Sequence, residues 1–123
     1  MRRVQLADRW TLIWAVLVAV VSLLPQSFKR RLGTAGIFHG WVHGLVFAIT
    51  AILVCRRNAS FLSQLLRSFA VIMFGAVIEC LQHAFYGSVF EWLDVMIDAA
   101  GVLMGLAFAL WTPIRVSGTP APR

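Results

Sequence analysis

Hydrophobic positions along the chain fall into four long runs separated by short polar breaks, and each run predicts a helix. The first extends from Trp10 to about Leu24 and stops at Pro25; it is short, which places its start a turn earlier, near Leu6. The second covers Ile37 to Cys55, the third Phe61 to Phe85 and the fourth Phe90 to Trp111, with Ser60 as a natural N-cap for the third. A bilayer-crossing helix needs about 20 predominantly apolar residues, so four spans are expected. Met1-Arg2-Arg3 before the first run resembles the start of a signal peptide. The segment that follows it, Pro25-Gln26-Ser27-Phe28-Lys29, has no small-x-small cleavage site and more apolar runs come after, so the first helix is expected to be retained. Residues 1–115 form one expected domain, and residues 116–123, rich in Pro and small side chains, a flexible tail.

Composition supports the same class. Of 123 residues, 60% are hydrophobic and 13% charged, with a mean hydropathy of +0.83. A soluble domain normally carries about 25% charged residues, so a soluble globular enzyme is excluded. The excess of 11 Lys+Arg over 5 Asp+Glu sits at the ends of runs, where it sets topology and does not suggest nucleic acid. With the N-terminus inside, Arg2, Arg3, Arg9, Arg56, Arg57, Arg67, Arg115 and Arg123 fall on the cytoplasmic side, and Lys29, Arg30 and Arg31 outside. Eight against three predicts both termini in the cytoplasm. The expected fold is therefore an all-α integral membrane bundle of four transmembrane helices in the cell (inner or plasma) membrane. Trp10 and Trp111 then mark the inner interface, Trp41 and Trp92 the outer one. Arg67, two turns into the third span, is expected to snorkel inward. Cys55 and Cys80 lie at opposite ends of their spans and predict two buried thiols, not a disulfide.

The chemistry is concentrated where bases are lacking. Between Arg67 and Arg115 there is no Lys or Arg, yet Glu79, Glu91, Asp94 and Asp98 lie there. Carboxylates within a span are costly and tend to face a bundle interior or a wet cavity. Alternating topology puts His39 and His43, then Glu79, Gln82 and His83, then Glu91, Asp94 and Asp98 at one end of the bundle. His39/His43, Glu79/His83 and Asp94/Asp98 are i,i+4 pairs, each sharing a helix face. Asp94, Asp98, Gly101 and Gly105 make one stripe, whose lower half, Gly101-Val-Leu-Met-Gly105, is a G-x-x-x-G that lets another helix approach closely. Each element has a plain alternative: a membrane histidine is more often packed or interfacial than a ligand, and Glu91 beside Trp92 reads as a solvated helix start. Asp98 and Glu79, deep in their spans, are harder to explain without a partner or a role. A polar pocket at the outer mouth of the bundle is expected, with Glu79, Gln82, Asp94, Asp98, His43, His39 and His83 as its ligand-contact candidates.

Glu79-Cys-Leu-Gln82 followed by Asp94, Asp98, Gly101 and Gly105 resembles the VanZ-like family of small membrane proteins. That family carries a Glu-x-x-Gln at a helix end, a loop arginine, an Asp with an Asn four residues on, and a G-x-x-x-G. Its earlier Asp-Lys-x-x-His is His39-Gly40-Trp41-Val42-His43 here, where only His43 matches; the loop arginine is Ser88 and the Asn is Asp98. The likeness covers about Pro25 to Gly105. It implies a polytopic membrane protein, and in some members a link to resistance against teicoplanin, a lipoglycopeptide that acts outside the membrane. The departures remove the Lys and Arg beside the carboxylates, leaving His39, His43, His83 or a bound cation as counter-charge.

Three functions suit this pattern. The first is a non-enzymatic module binding a lipid headgroup, an amphiphile or a lipoglycopeptide, with Lys29, Arg30 and Arg31 attracting its anionic part, membrane lipids as partners, no nucleic acid, and a homo-oligomer allowed. No cofactor is expected for it. The second is an intramembrane metal-dependent enzyme, in which His43, Glu79, Asp94 and Asp98 hold zinc or manganese, although no dense motif such as H-E-x-x-H is present. The third is a subunit of a proton- or ion-coupled carrier using Asp98 and Glu79 as relays.

Overall fold

A computed structural model describes residues 2–31, 38–55 and 60–112. The described residues form five helices and no strands: α1 (Arg2–Ser22), α2 (Gln26–Arg31), α3 (Phe38–Cys55), α4 (Phe61–Tyr86) and α5 (Trp92–Trp111). The four apolar runs become α1, α3, α4 and α5. The expected tail lies outside the described residues, as do Arg56, Arg57, Arg115 and Arg123.

The short α2 is an addition, and Pro25 accounts for it. A residue before proline is pushed out of the helical region, which ends α1. The Pro25 carbonyl then accepts the N–H groups of Phe28 (2.9 Å) and Lys29 (3.1 Å), opening a new helix. At α4, Ser60 caps as expected, its hydroxyl accepting the Ser63 N–H at 3.3 Å. Gly87 closes the other end at φ 61°, a left-handed conformation that glycine adopts without a Cβ clash, and donates to the His83 carbonyl.

The closest helix pair is α3 with α5; α4 packs against both, and α1 lies on α3. Matching contacts advance together along the two chains, from His39 opposite Asp94 to Ala48 opposite Gly105, so α3 and α5 run parallel. Their approach depends on small residues. A Cβ on Gly101 would stand 2.2 Å from the Gly44 carbonyl oxygen, and one on Gly105 2.3 Å from that of Ala48. Val18, Phe47, Ala51, Val71, Ile78 and Val102 fill the core beneath.

Several polar atoms within the bundle find partners on another helix. Trp14 Nε1 donates to Thr50 Oγ1 at 2.9 Å, tying α1 to α3, while Thr50 itself donates to the Val46 carbonyl. A single hydrogen bond between apolar helices contributes about 0.6 kcal/mol on average and up to about 1.7. Trp14→Phe is expected to lower unfolding stability by an amount in that range, measured by denaturant titration in mixed micelles, without changing helix content. Arg67, expected to reach back toward the start of its span, donates to the Val54 carbonyl at 3.2 Å and satisfies the C-terminal end of α3. Cys55 is buried beside Ser68, but Cys80 is exposed, so the two thiols differ in environment, contrary to expectation.

The outward faces are apolar. Leu12, Val16, Leu45, Leu66, Phe69, Leu103 and Met104 are all more than half exposed. Two helices, α4 and α5, are long and apolar enough to cross a membrane by length and composition; the apolar stretches Arg9–Ser22 and His39–Cys55 are shorter.

Candidate functional site

The glycine contact between α3 and α5 sets the register of the residues one to two turns above it. There the i,i+4 histidines of α3 face the i,i+4 aspartates of α5. His39 Nε2 lies 3.2 Å from Asp94 Oδ2, and His43 Nδ1 3.1 Å from Asp98 Oδ1. A carboxylate only accepts, so the ring nitrogen facing it carries the proton. The two imidazoles also stack at a tilt, 4.4 Å between ring centres, and Phe47 floors the pair below His43. Asp94 and Asp98 are both buried. Gly75 of α4 makes room for this: a Cβ there would meet Asp98 Oδ2 and the Phe47 ring, each at 2.9 Å.

From α4 come Glu79 and Gln82, one turn apart and both buried. Glu79 Oε1 accepts the Glu91 backbone N–H at 2.8 Å, so the acid satisfies a donor at the opening of α5 and joins the α4–α5 hairpin from inside. A carboxylate is favoured there by the helix dipole as well. Gln82 Oε1 accepts a hydrogen bond from Lys29 Nζ at 3.4 Å. Lys29 is only 5% exposed, although it belongs to the polar α2. Burial lowers its pKa from the usual lysine value, while the charges of Glu79, Asp94 and Glu91 act to raise it. A second tie, Tyr86 OH donating to the Leu23 carbonyl at 2.6 Å, fixes the α1–α2 link over the end of α4.

Six of the seven candidate residues thus gather at one end: Glu79, Gln82, Asp94, Asp98, His43 and His39. His83 does not join them. It is exposed, and its Nδ1 pairs with the Ser88 carbonyl in the turn after α4. Sharing a face with Glu79 over one turn was not enough, because four residues advance about 400° and the helix ends a turn later. Glu91 is exposed at the start of α5, as a solvated helix start would be. Glu79, expected among metal-ligand candidates, is engaged with the α5 backbone. Lys29, expected with Arg30 and Arg31 on an outer loop attracting an anionic group, is instead buried against α4. The signal for it was the pairing of two anomalies, bases on the side that the positive-inside rule leaves poor, and acids without counter-charges.

Two hollows flank the imidazoles. A cavity of about 180 Å³ between α1, α2 and α3 has Ser22, Lys29, His39 and His43 at one end and Trp14, Leu17, Val46 and Phe47 along the rest. An open groove on the other side of His39 runs along the α3–α5 seam, with Glu91 and Asp94 at its head and Gly44, Ala48 and Met104 below. No protein-family model matches this chain, and neither a curated protein nor a solved structure is similar to it.

Proposed function

We propose that this chain is a four-span membrane protein of VanZ-like type, with both termini in the cytoplasm and a site at the outer side. The site would bind the anionic headgroup of an amphiphile, with its hydrocarbon part in the cavity between α1 and α3. One observation carries this reading: the cavity is amphipathic along its length. Its polar end offers an ammonium and two imidazoles, and the remaining wall is aromatic and aliphatic. The carboxylates paired with the imidazoles, Asp94 and Asp98, do not line it. The apolar outward faces support the membrane setting, since water would meet them at high cost.

The resemblance through Glu79, Gln82, Asp94, Gly101 and Gly105 extends the proposal to lipoglycopeptides, amphiphiles that meet the membrane from outside. It favours a contribution to teicoplanin resistance in a host that expresses the protein. The test is native mass spectrometry of the full chain in detergent, offered phosphatidylglycerol or phosphatidylcholine. Selective retention of the anionic lipid is expected, weakened about tenfold or more in Lys29→Gln, as for one charge-assisted contact. Equal retention of both lipids, or no effect of Lys29→Gln in a folded protein, would overturn the assignment.

A further inference from the structure

Acids outnumber the one buried ammonium here: Glu79, Asp94 and Glu91 act on Lys29, and Asp98 pairs with His43. Among these groups, His39, His43 and Asp94 each place one ligand atom within 4.8 Å of the others. We infer that these three residues bind a divalent transition-metal ion, zinc by preference, and that Asp98 positions His43 from behind. This goes beyond amphiphile binding and stands whether or not the cavity holds a lipid.

The distances suit such an ion. Zinc is held at about 2.0–2.1 Å by imidazole nitrogen and carboxylate oxygen in tetrahedral sites, which puts neighbouring ligand atoms about 3.3 Å apart. His39 Nε2 and Asp94 Oδ2 already stand 3.2 Å apart. His43 completes the set from the next turn of α3, and its 4.4 Å ring separation from His39 leaves a small hinge of the side chain to close. The donor set, two imidazoles and one carboxylate, is borderline in softness and favours zinc over magnesium or calcium. Asp98 supplies what metal-bound histidines usually have: with Nδ1–H committed to Asp98 Oδ1 at 3.1 Å, Nε2 is the nitrogen of His43 left for the ion.

The ion takes the place of the proton between His39 Nε2 and Asp94 Oδ2: from an imidazolium that proton leaves to solvent, and from a neutral ring it is carried on Nδ1 instead, so the ligand is a neutral imidazole in either case. The ion's two positive charges then meet the excess of carboxylate. Three protein ligands leave a fourth position open, and the cavity and the groove both reach His39, so an oxygen of water or of an anionic headgroup can enter it.

The experiment uses the full chain in detergent, stripped with chelator and reloaded with zinc or with cobalt(II) as a spectroscopic probe. One equivalent per chain is expected, with the intense visible bands of tetrahedral cobalt. His39→Ala and Asp94→Asn should lose it, and Asp98→Asn should weaken it by about 10- to 100-fold. His83→Ala should keep it. A measurement on the unmodified chain guards against variants that fail to fold: zinc should shield His39 and His43, but not His83, from diethyl pyrocarbonate, read by peptide mass spectrometry. Substoichiometric metal in folded protein, retention of the ion in His39→Ala, or equal modification of all three histidines with and without zinc overturns the site.

Discussion

Gly101→Ala is expected to prevent α3 and α5 from docking, although alanine is the better helix former of the two. The added methyl would occupy a point 2.2 Å from the Gly44 carbonyl oxygen and 2.9 Å from its carbonyl carbon. Backbone atoms cannot rotate away as a side chain can, so the helices must separate. Overpacking of a tight interior costs about 1–3 kcal/mol, and a clash with backbone belongs at or above the top of that range. Separation would also pull His39 and His43 from their aspartates. The expected outcome is a large loss of monodisperse protein on size exclusion in detergent, with helix content little changed. Leu103→Ala, on the exposed side of α5, should behave like the parent chain. A Gly101→Ala protein as stable as the parent would mean that the two helices do not pack through this face.

Removing the Lys29 charge is the second large perturbation. Lys29→Met keeps much of the aliphatic stem and deletes the ammonium, leaving Glu79 and Asp94 buried without it. Deleting the ammonium also removes its own desolvation cost, so the net loss expected is about 1–3 kcal/mol, the penalty of leaving buried acceptors without their donor. The expected result is a drop of that order in resistance to denaturant. Lys29→Arg should restore part of it. In a double variant, Glu79→Gln combined with Lys29→Met is expected to cost less than the sum of the two, the mark of a direct interaction. Strict additivity would place the ammonium outside the influence of Glu79.

Much of this arrangement could be read along the chain because helical periodicity is a local property. The apolar runs located α1, α3, α4 and α5 to within a few residues. The stripe of Asp94, Asp98, Gly101 and Gly105 marked the buried face of α5, and all four are buried. Periodicity identifies a face but not what it faces. That Asp94 and Asp98 meet His39 and His43, one pair per turn, is a consequence of how two parallel helices slide against each other, and that register is fixed by Gly44 and Ala48. Their spacing, Gly40-x-x-x-Gly44-x-x-x-Ala48, was a visible counterpart to Gly101 and Gly105. A six-residue polar helix such as α2 has too few turns to leave a periodic signal, and Lys29 was hidden with it. His83 failed for a related reason: at a helix end, the closing turn through Gly87 and Ser88 decides a side chain's partner, and spacing along α4 does not.

The tightest contact joins α3 to α5, with α4 intervening in the chain. During synthesis α3 therefore waits, its glycine groove and two imidazoles without their mates, until α5 has left the ribosome. The polar centre cannot assemble before then, and a message cut short ahead of α5 leaves the seam open.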